Sequence, residues 1–272
     1  MKVMGFAHRH GFRLASASLA VMLLASGCSH PLVVKNMDLY KPEFINSQPR
    51  STKIGLSTVT STPEEERLAL AVANTLKRDG FSVTHPFHAS EQNRTTVDYV
   101  VKLVTSSEYK GSGWNFLINW PGYIIWTPAW HGYNYRAIYG FDADIMHAAS
   151  NESLPRVSAP LDLDIRHADM NRTWTEVSWL EYGVIAIVGG IVFTRYDQSV
   201  TPQLINATET RISEYVASKI ASSIVSDRDS REQVVNNNKE KEAVVAAEAV
   251  QPAQAVTAPV AAVATSTGAS VP

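Results

Sequence analysis

Alternation between apolar and polar positions is the strongest pattern in the chain, and it predicts strands with one buried face. Residues 139–146 (YGFDADIM) and 161–166 (LDLDIR) place an apolar residue at every second position, and residues 173–180 continue the series. A period of two is typical of antiparallel strands that cover a core on one side. Gly189–Gly190 then separates two β-branched runs, which predicts a hairpin over residues 184–193.

The first part of the domain predicts a β-α-β-β order. Residues 53–59, 81–84 and 97–105 are short, β-branched apolar segments that are typical of strands. After the first of them, Thr62 precedes a proline, and a glutamate follows at the third helical position, so a capping box starts a helix. This helix ends at Asp79–Gly80, and its apolar positions follow a four-residue step: Leu68, Val72 and Leu76.

A second amphipathic helix closes the domain. It begins at Thr201–Pro202 or soon after, and its apolar stripe consists of Ile212, Tyr215, Val216, Ile220 and Ile224. Together with the strands, this helix predicts an α+β fold. We expect a mostly antiparallel sheet of about five to seven strands with two helices on one face.

Both ends of the chain differ in composition from this domain, which we expect over residues 52–227. Residues 29–51 have scattered apolar positions without a period, so we expect a flexible tether after residue 28 that reaches about 25 Å. Residues 228–272 are polar and charged at first and then rich in Ala, Val, Pro, Gln and Thr. A segment of this kind cannot bury enough surface to offset its ordering entropy, which predicts a disordered tail. The alternative is a marginal helix over residues 239–250.

Composition narrows the class of protein. The 272 residues are 45% hydrophobic and 18% charged, with 24 basic against 26 acidic side chains. A net charge of −2 does not fit a dedicated nucleic-acid-binding protein, and this apolar content does not fit a fully disordered chain. The single cysteine excludes an intramolecular disulfide, a multi-cysteine zinc site and an iron–sulfur cluster.

The first 27 residues have the three parts of a secretory signal peptide. Lys2, Arg9 and Arg13 form a basic region without acids, an apolar stretch follows over residues 14–25, and small residues come next. The stretch is too short to span a hydrocarbon core of roughly 30 Å comfortably, so it predicts export rather than a transmembrane helix.

The sequence Leu24-Ala25-Ser26-Gly27-Cys28 resembles the lipobox of bacterial lipoproteins, with the leucine one place earlier than the family prefers. This resemblance implies that Cys28 is diacylated and becomes the mature N-terminus, so that two or three acyl chains hold the protein on the membrane. Ser29 in place of an aspartate implies the outer membrane, facing the periplasm. The alternative is an ordinary secreted protein, cleaved near Ala25, that keeps Cys28 as a free thiol.

An uncharged aromatic segment lies within the domain. Residues 111–135 contain no Asp, Glu, Lys or Arg and hold four of the six tryptophans. Pro121–Gly122 and Pro128 argue against a spanning helix, as do the amides of Asn115 and Asn119, so we expect a loop or broken hairpin. Its rings either complete the core, settle at the headgroup layer of a membrane, or form a contact surface for a protein or glycan. The candidate contact residues are Trp114, Trp120, Tyr123, Trp126 and Trp130.

Patterns that indicate catalysis or metal binding are few. His85 and His88 have a spacing that metal ligands use, but no third ligand lies nearby in sequence, so a surface turn is the better interpretation. No phosphate loop, nucleophile elbow or zinc-helix motif occurs, so we predict no catalytic, cofactor or metal site and do not expect an enzyme. The acidic pairs of the two alternating strands are expected to face solvent rather than bind a cation: Asp142, Asp144, Asp162 and Asp164.

A lipobox followed by a β-α-β opening resembles, in layout, the accessory lipoproteins of the bacterial envelope. Examples are the curli-secretion lipoprotein and the activators of penicillin-binding proteins. The resemblance implies a non-enzymatic accessory or scaffold protein that is anchored through its lipid and contacts an envelope protein, without a nucleic-acid partner. The alternative function is an envelope glycan-binding protein or hydrolase that uses the tryptophan rings as a sugar platform.

Overall fold

The computed structural model describes residues 32–43, 52–119, 131–167 and 191–249, with side chains as far as residue 242. Packing divides the chain into one unit that ends at Asp227 and a second unit that begins at Arg228. The predicted signal peptide and Cys28 lie outside the described residues.

Seven strands and four helices occur in the part of the chain that the structure describes. The strands are β1 (Val33–Val34), β2 (Lys53–Val59), β3 (Ser82–Thr84), β4 (Tyr99–Gly111), β5 (Tyr133–His147), β6 (Val157–Ser158) and β7 (Leu161–His167). The helices are α1 (Pro63–Arg78), α2 (Glu91–Arg94), α3 (Trp114–Asn119) and α4 (Thr201–Ala249).

The strands form one sheet in the order β1-β7-β5-β4-β2-β3, with β6 paired to β5. Strand β2 runs parallel to both β3 and β4. The other pairs, β4 with β5, β5 with β6, β5 with β7 and β1 with β7, are antiparallel. The predicted α+β class with a mostly antiparallel sheet is therefore confirmed.

The predicted β-α-β-β opening is also confirmed, because β2, α1, β3 and β4 occur in this order, with only the four-residue helix α2 between β3 and β4. Thr62 caps α1, since its hydroxyl accepts a hydrogen bond from the Glu65 N–H at 3.2 Å. Gly80 takes a φ of 100° just after the helix, a conformation that a side chain would disfavour. The predicted apolar face of α1 is fully buried at Leu68, Val72 and Leu76.

Alternation along β5 and β7 separates a core face from a polar face, as predicted. The core residues are at most 1% exposed: Tyr139, Phe141, Ala143 and Ile145 on β5, and Leu161, Leu163 and Ile165 on β7. Gly140, Asp142 and Asp144 on the opposite face are half-buried or exposed.

Helix α4 begins at Thr201, as predicted, and packs into the same core as α1. The Thr75 hydroxyl of α1 donates to the Ser213 hydroxyl of α4 at 3.1 Å, and Arg78 pairs with Glu214 at 3.2 Å. The predicted stripe on α4 is fully or almost fully buried at Ile212, Val216, Ile220 and Ile224. The two helices therefore cover one face of the sheet.

Helix α4 continues to Ala249, although the sequence predicts a disordered tail from residue 228. Residues 232–242 are exposed throughout, so burial does not stabilise this part of the helix. The alternative of a helix over 239–250 agrees with the structure as far as Ala249. The rest of the predicted tail, residues 250–272, lies outside the described residues.

The predicted strand 173–180 and most of the predicted hairpin 184–193 lie outside the described residues. The three described residues of that hairpin, Ile191–Phe193, contradict the prediction, because they form a helical turn rather than a strand. The Thr194 N–H donates to the Ile191 carbonyl at 3.1 Å. Packing of Phe193 into the core outweighs the strand propensity of this β-branched run.

Residues 32–43 are not the free tether that the sequence predicts. Val33 and Val34 pair with Arg166 and Ile165 of β7. Further along the segment, the Glu43 N–H donates to the Ser218 hydroxyl of α4 at 2.9 Å. The remaining residues of the predicted tether, 29–31 and 44–51, lie outside the described residues.

Side chains of this segment also bind the backbone N–H and carbonyl groups of β7 that lie beyond the short strand β1. The Tyr40 hydroxyl accepts from the Asp162 N–H at 2.8 Å and donates to the Asp162 carbonyl at 3.1 Å. The Asn36 carboxamide donates to the same carbonyl and accepts from the Asp164 N–H at 2.9 Å. A strand edge without such partners is a template for aggregation, so these two residues complete the sheet.

Candidate functional site

Strand register brings four chain segments to one end of the sheet, which we call the α3 end. Gly111, the last residue of β4, lies opposite Tyr135 near the start of β5. Tyr133, the first residue of β5, lies opposite His167, the last residue of β7. Val33 lies opposite Arg166, so the chain enters β1 from Leu32 at this same end.

Helix α3 presents large apolar side chains to solvent at this end. The Trp114 side chain is 67% exposed and that of Leu117 is 51% exposed. This part of the aromatic segment was predicted to be a loop or broken hairpin, and the structure corrects that prediction. Residues 114–119 are a short helix, Gly111 belongs to β4, and residues 133–135 belong to β5.

Asn115 fixes α3 to the start of β5. Its side chain is fully buried. Its carboxamide donates to the Asn134 carbonyl at 2.9 Å and accepts from the Asn134 N–H at 2.8 Å. Both the donor and the acceptor of this amide are therefore used. Because a buried amide with both bonds made is rigid, the exposed face of α3 is held in place.

A second apolar pair lies near the α3 end in the segment before α4. Ile191 is 51% exposed and Val192 is 42% exposed. Phe193 follows them and stacks on Tyr133 with 5.0 Å between ring centroids. A Cβ added to Gly111 would lie 1.9 Å from the Thr194 carbonyl oxygen, so the backbone of this segment rests directly on the end of β4.

Tyr196, in the same segment before α4, belongs to a cluster of tyrosines. Tyr196 stacks on Tyr109 with centroids 4.8 Å apart, and the hydroxyls of Tyr109 and Tyr139 lie 3.3 Å apart. Burial raises the pKa of Tyr196 to about 12. Burial also raises the pKa of Tyr109 and that of Tyr139 above the ordinary value. The cluster therefore favours neutral phenols.

A groove of about 590 Å³ lies beside α3. Its walls combine the apolar side chains of α3 with polar groups of β5, of β7 and of Lys35, the residue after β1. The Lys35 ammonium donates to the Asn134 side-chain oxygen at 3.1 Å across it. The lining residues are Lys35, Ser112, Trp114, Leu117, Ile118, His131, Asn134 and Asp164.

The predicted turn at His85 and His88 contains a cis peptide bond between His85 and Pro86. The His85 ring nitrogen lies 3.4 Å from the Thr58 hydroxyl, while His88 is exposed. Burial and the nearby Lys77 ammonium lower the pKa of His85. The described residues contain no group of three or more His, Cys, Asp or Glu side chains arranged to hold a metal ion.

The acidic pairs of β5 and β7 lie on the polar face, as predicted. Asp142 and Asp144 each pair with Arg156 at 3.4 Å. Asp162 pairs with Arg136, and this hydrogen-bonded contact lowers the pKa of the Asp162 carboxyl. Three of the four carboxylates are therefore paired with arginine side chains.

The structure places one of the predicted contact residues, Trp114, on an exposed surface. Trp120, Tyr123, Trp126 and Trp130 lie outside the described residues, as does Cys28. Sequence reasoning did not single out Leu117 as a contact residue, whereas Ile191 and Val192 belong to the run 184–193, for which a contact role was the alternative to a buried hairpin. Among the described helices, none combines the length and apolar character needed to cross a bilayer.

No protein-family model and no curated protein matches the chain. Among solved structures, the rare lipoprotein B from Shewanella oneidensis is similar, with 12% identity, coverage of 65% of this chain and 99% of that one, and a TM-score of 0.33. A PelC dodecamer from Paraburkholderia phytofirmans has 11% identity, coverage of 62% and 99%, and a TM-score of 0.25. A DUF330 protein from Xanthomonas campestris has 12% identity, coverage of 67% and 95%, and a TM-score of 0.27. These values do not assign the chain to a family.

Proposed function

We propose that the protein is a lipid-anchored lipoprotein of the cell envelope that acts as a non-enzymatic accessory or scaffold, with the α3 end as its contact surface. The lipobox-like sequence ending at Cys28 supports the anchor and an outer-membrane location facing the periplasm. The observation that carries the contact surface is the exposure of Trp114 and Leu117 on a helix held by the buried Asn115. Exposed apolar side chains that lie together mark interaction sites, and tryptophan is enriched where proteins bind.

The anchor is tested by replacing its acyl acceptor. We expect the wild-type protein to incorporate labelled fatty acid and to fractionate with the outer membrane, because two or three acyl chains are nearly irreversible anchors. The Cys28→Ala variant should lose the label and leave the membrane fraction. Wild-type protein without the acyl label would contradict the proposal, and Cys28 would then be a free thiol.

The contact surface is tested with the aromatic residues that follow α3 in sequence. We expect the Trp120→Ala, Trp126→Ala, Trp130→Ala triple variant to fold and to lose its contacts, measured as the loss of a protein crosslink in intact cells or, for the unacylated protein, of liposome binding. An envelope protein partner would be identified from the crosslinked product. A triple variant that unfolds would instead show that these rings belong to the core.

A glycan-binding function is the second candidate, and the mixed lining of the groove favours it. An exposed Trp114 ring beside Lys35, Asn134 and Asp164 resembles the way sugars are held, by a flat ring with polar groups around it. This candidate predicts that soluble envelope oligosaccharides quench tryptophan fluorescence in the wild type but not in Trp114→Ala. A wild-type signal that oligosaccharides do not change would count against it.

A further inference from the structure

We infer that the α3 end lies against the phospholipid surface that carries the anchor, so that the occupant of the exposed apolar surface is the bilayer itself. This inference rests on the proposed lipid anchor at Cys28. It adds the orientation of the domain and the chemistry of the partner at the contact surface.

The distance between the anchor and the domain is the first step. Leu32 is the first described residue and leads directly into β1. Four peptide units separate it from Cys28, and a fully extended chain of that length spans at most about 14 Å. The tether expected over residues 29–51 is therefore replaced by a very short one, because residues 32–43 are bound to β7 and α4.

The place where the chain enters the domain is the second step. Because β1 is antiparallel to β7, Leu32 lies beyond Val33 at the α3 end, where His167 finishes β7 and Tyr133 begins β5. The opposite end of β5, at His147, is fourteen residues away along the strand, which corresponds to about 45 Å. A short tether at one end of so long a strand holds that end near the membrane and the other end away from it.

The character of the surface near the membrane is the third step. Four large apolar side chains are at least 42% exposed at this end: Trp114, Leu117, Ile191 and Val192. Lys35 lines the adjoining groove and Arg195 is exposed nearby. Tryptophan, aliphatic and basic side chains together are the composition that favours the headgroup layer of a bilayer.

The short tether leaves only a narrow gap between this surface and the membrane, and a protein partner would have to enter that gap. The bilayer is already there, which favours lipid as the occupant.

Depth-dependent quenching tests the inference on the acylated full-length chain. Acylation removes the only native thiol, so Trp114→Cys, Leu117→Cys and the control Gln92→Cys would each carry a single fluorophore. Gln92 is exposed on α2, which precedes the far end of β4. In vesicles of phosphatidylethanolamine and phosphatidylglycerol with spin-labelled acyl chains, we expect quenching at 114 and 117 at least about threefold stronger than at 92.

The outcomes separate the inference from the proposed function. Acylated protein on vesicles with equal quenching at all three positions would overturn the membrane-facing surface and leave the anchor standing. Labels at 114 and 117 that are shielded from water but not quenched by lipid would overturn it in favour of a protein covering. Protein that is unacylated and absent from the vesicles would overturn both. If Trp114→Cys does not fold, Leu117→Cys and Val192→Cys carry the same test.

Discussion

Gly111 and Gly113 lie two residues apart at the α3 end and have opposite surroundings. A Cβ at Gly111 would meet the Thr194 carbonyl oxygen at 1.9 Å, whereas a Cβ at Gly113 would meet nothing within 4 Å. We expect Gly111→Ala to lower the free energy of unfolding by about 2 kcal/mol, because the backbone of the 191–195 segment must move away. Gly113→Ala should change it by less than about 0.5 kcal/mol. Urea denaturation measures both, and equal effects would contradict the close approach.

Tyr196 gives the fold a dependence on alkaline pH. Its pKa is raised to about 12 in the folded protein, against an ordinary value of about 10 in the unfolded chain. Between these values the unfolded chain releases a proton that the folded protein keeps, so stability is complete below pH 10 and falls as the pH rises toward 12. Burial of Tyr109 and Tyr139 acts in the same direction.

The Tyr196→Phe variant isolates this contribution. Below pH 9 it should be less stable than the wild type by a constant amount, because the hydrogen bond between Tyr196 and Thr201 at 3.0 Å is lost. Above pH 10 the difference should shrink, since the variant has one fewer phenol to ionise. Unfolding midpoints measured across this range check the expectation. Two parallel curves over the whole range would contradict it.

At the scale of elements, the edge of β7 depends on two side chains from the segment before β2. We expect the Asn36→Ala, Tyr40→Phe variant to speed hydrogen exchange at the Asp162 and Asp164 amides by about tenfold, because each loses its partner. Lys41→Ala changes an exposed residue of the same segment and serves as the control. Unchanged exchange in the double variant would show that β1 alone holds the edge.

The elements that could be predicted from sequence are those whose pattern repeats. Strand β7 alternates along its whole length, and α1 has a cap, a stripe and a glycine stop, so both are predicted close to their observed places. The alternation also predicts β5, but this strand begins six residues before the predicted start at Tyr139. Helix α3 and the segment 32–43 have no period. They depend on single contacts, such as the carboxamide of Asn115 on Asn134 and the hydroxyl of Tyr40 on Asp162. Such contacts exist only after the sheet has formed, so no local pattern indicates them.

At the scale of the whole molecule, sequence alone could indicate an anchor and an aromatic segment but not their proximity. Cys28 and Trp114 are far apart in the chain, and a flexible tether would have left their relative positions open. The pairing of β1 with β7 brings the residue after the tether to the end of the sheet that carries α3. In the proposed arrangement, register rather than composition therefore sets which surface faces the anchor.

A longer tether should weaken this arrangement. Inserting about 20 Gly and Ser residues between Ser29 and His30 would add roughly 25 Å of reach and lower the effective concentration of the α3 end at the bilayer. We expect the acylated protein to stay on the membrane while lipid quenching of a label at Leu117→Cys falls at least about twofold. The same insertion between Ser150 and Asn151, in the exposed turn after β5, should leave quenching unchanged. Undiminished quenching with the long tether would mean that the apolar side chains hold the surface on the bilayer by themselves.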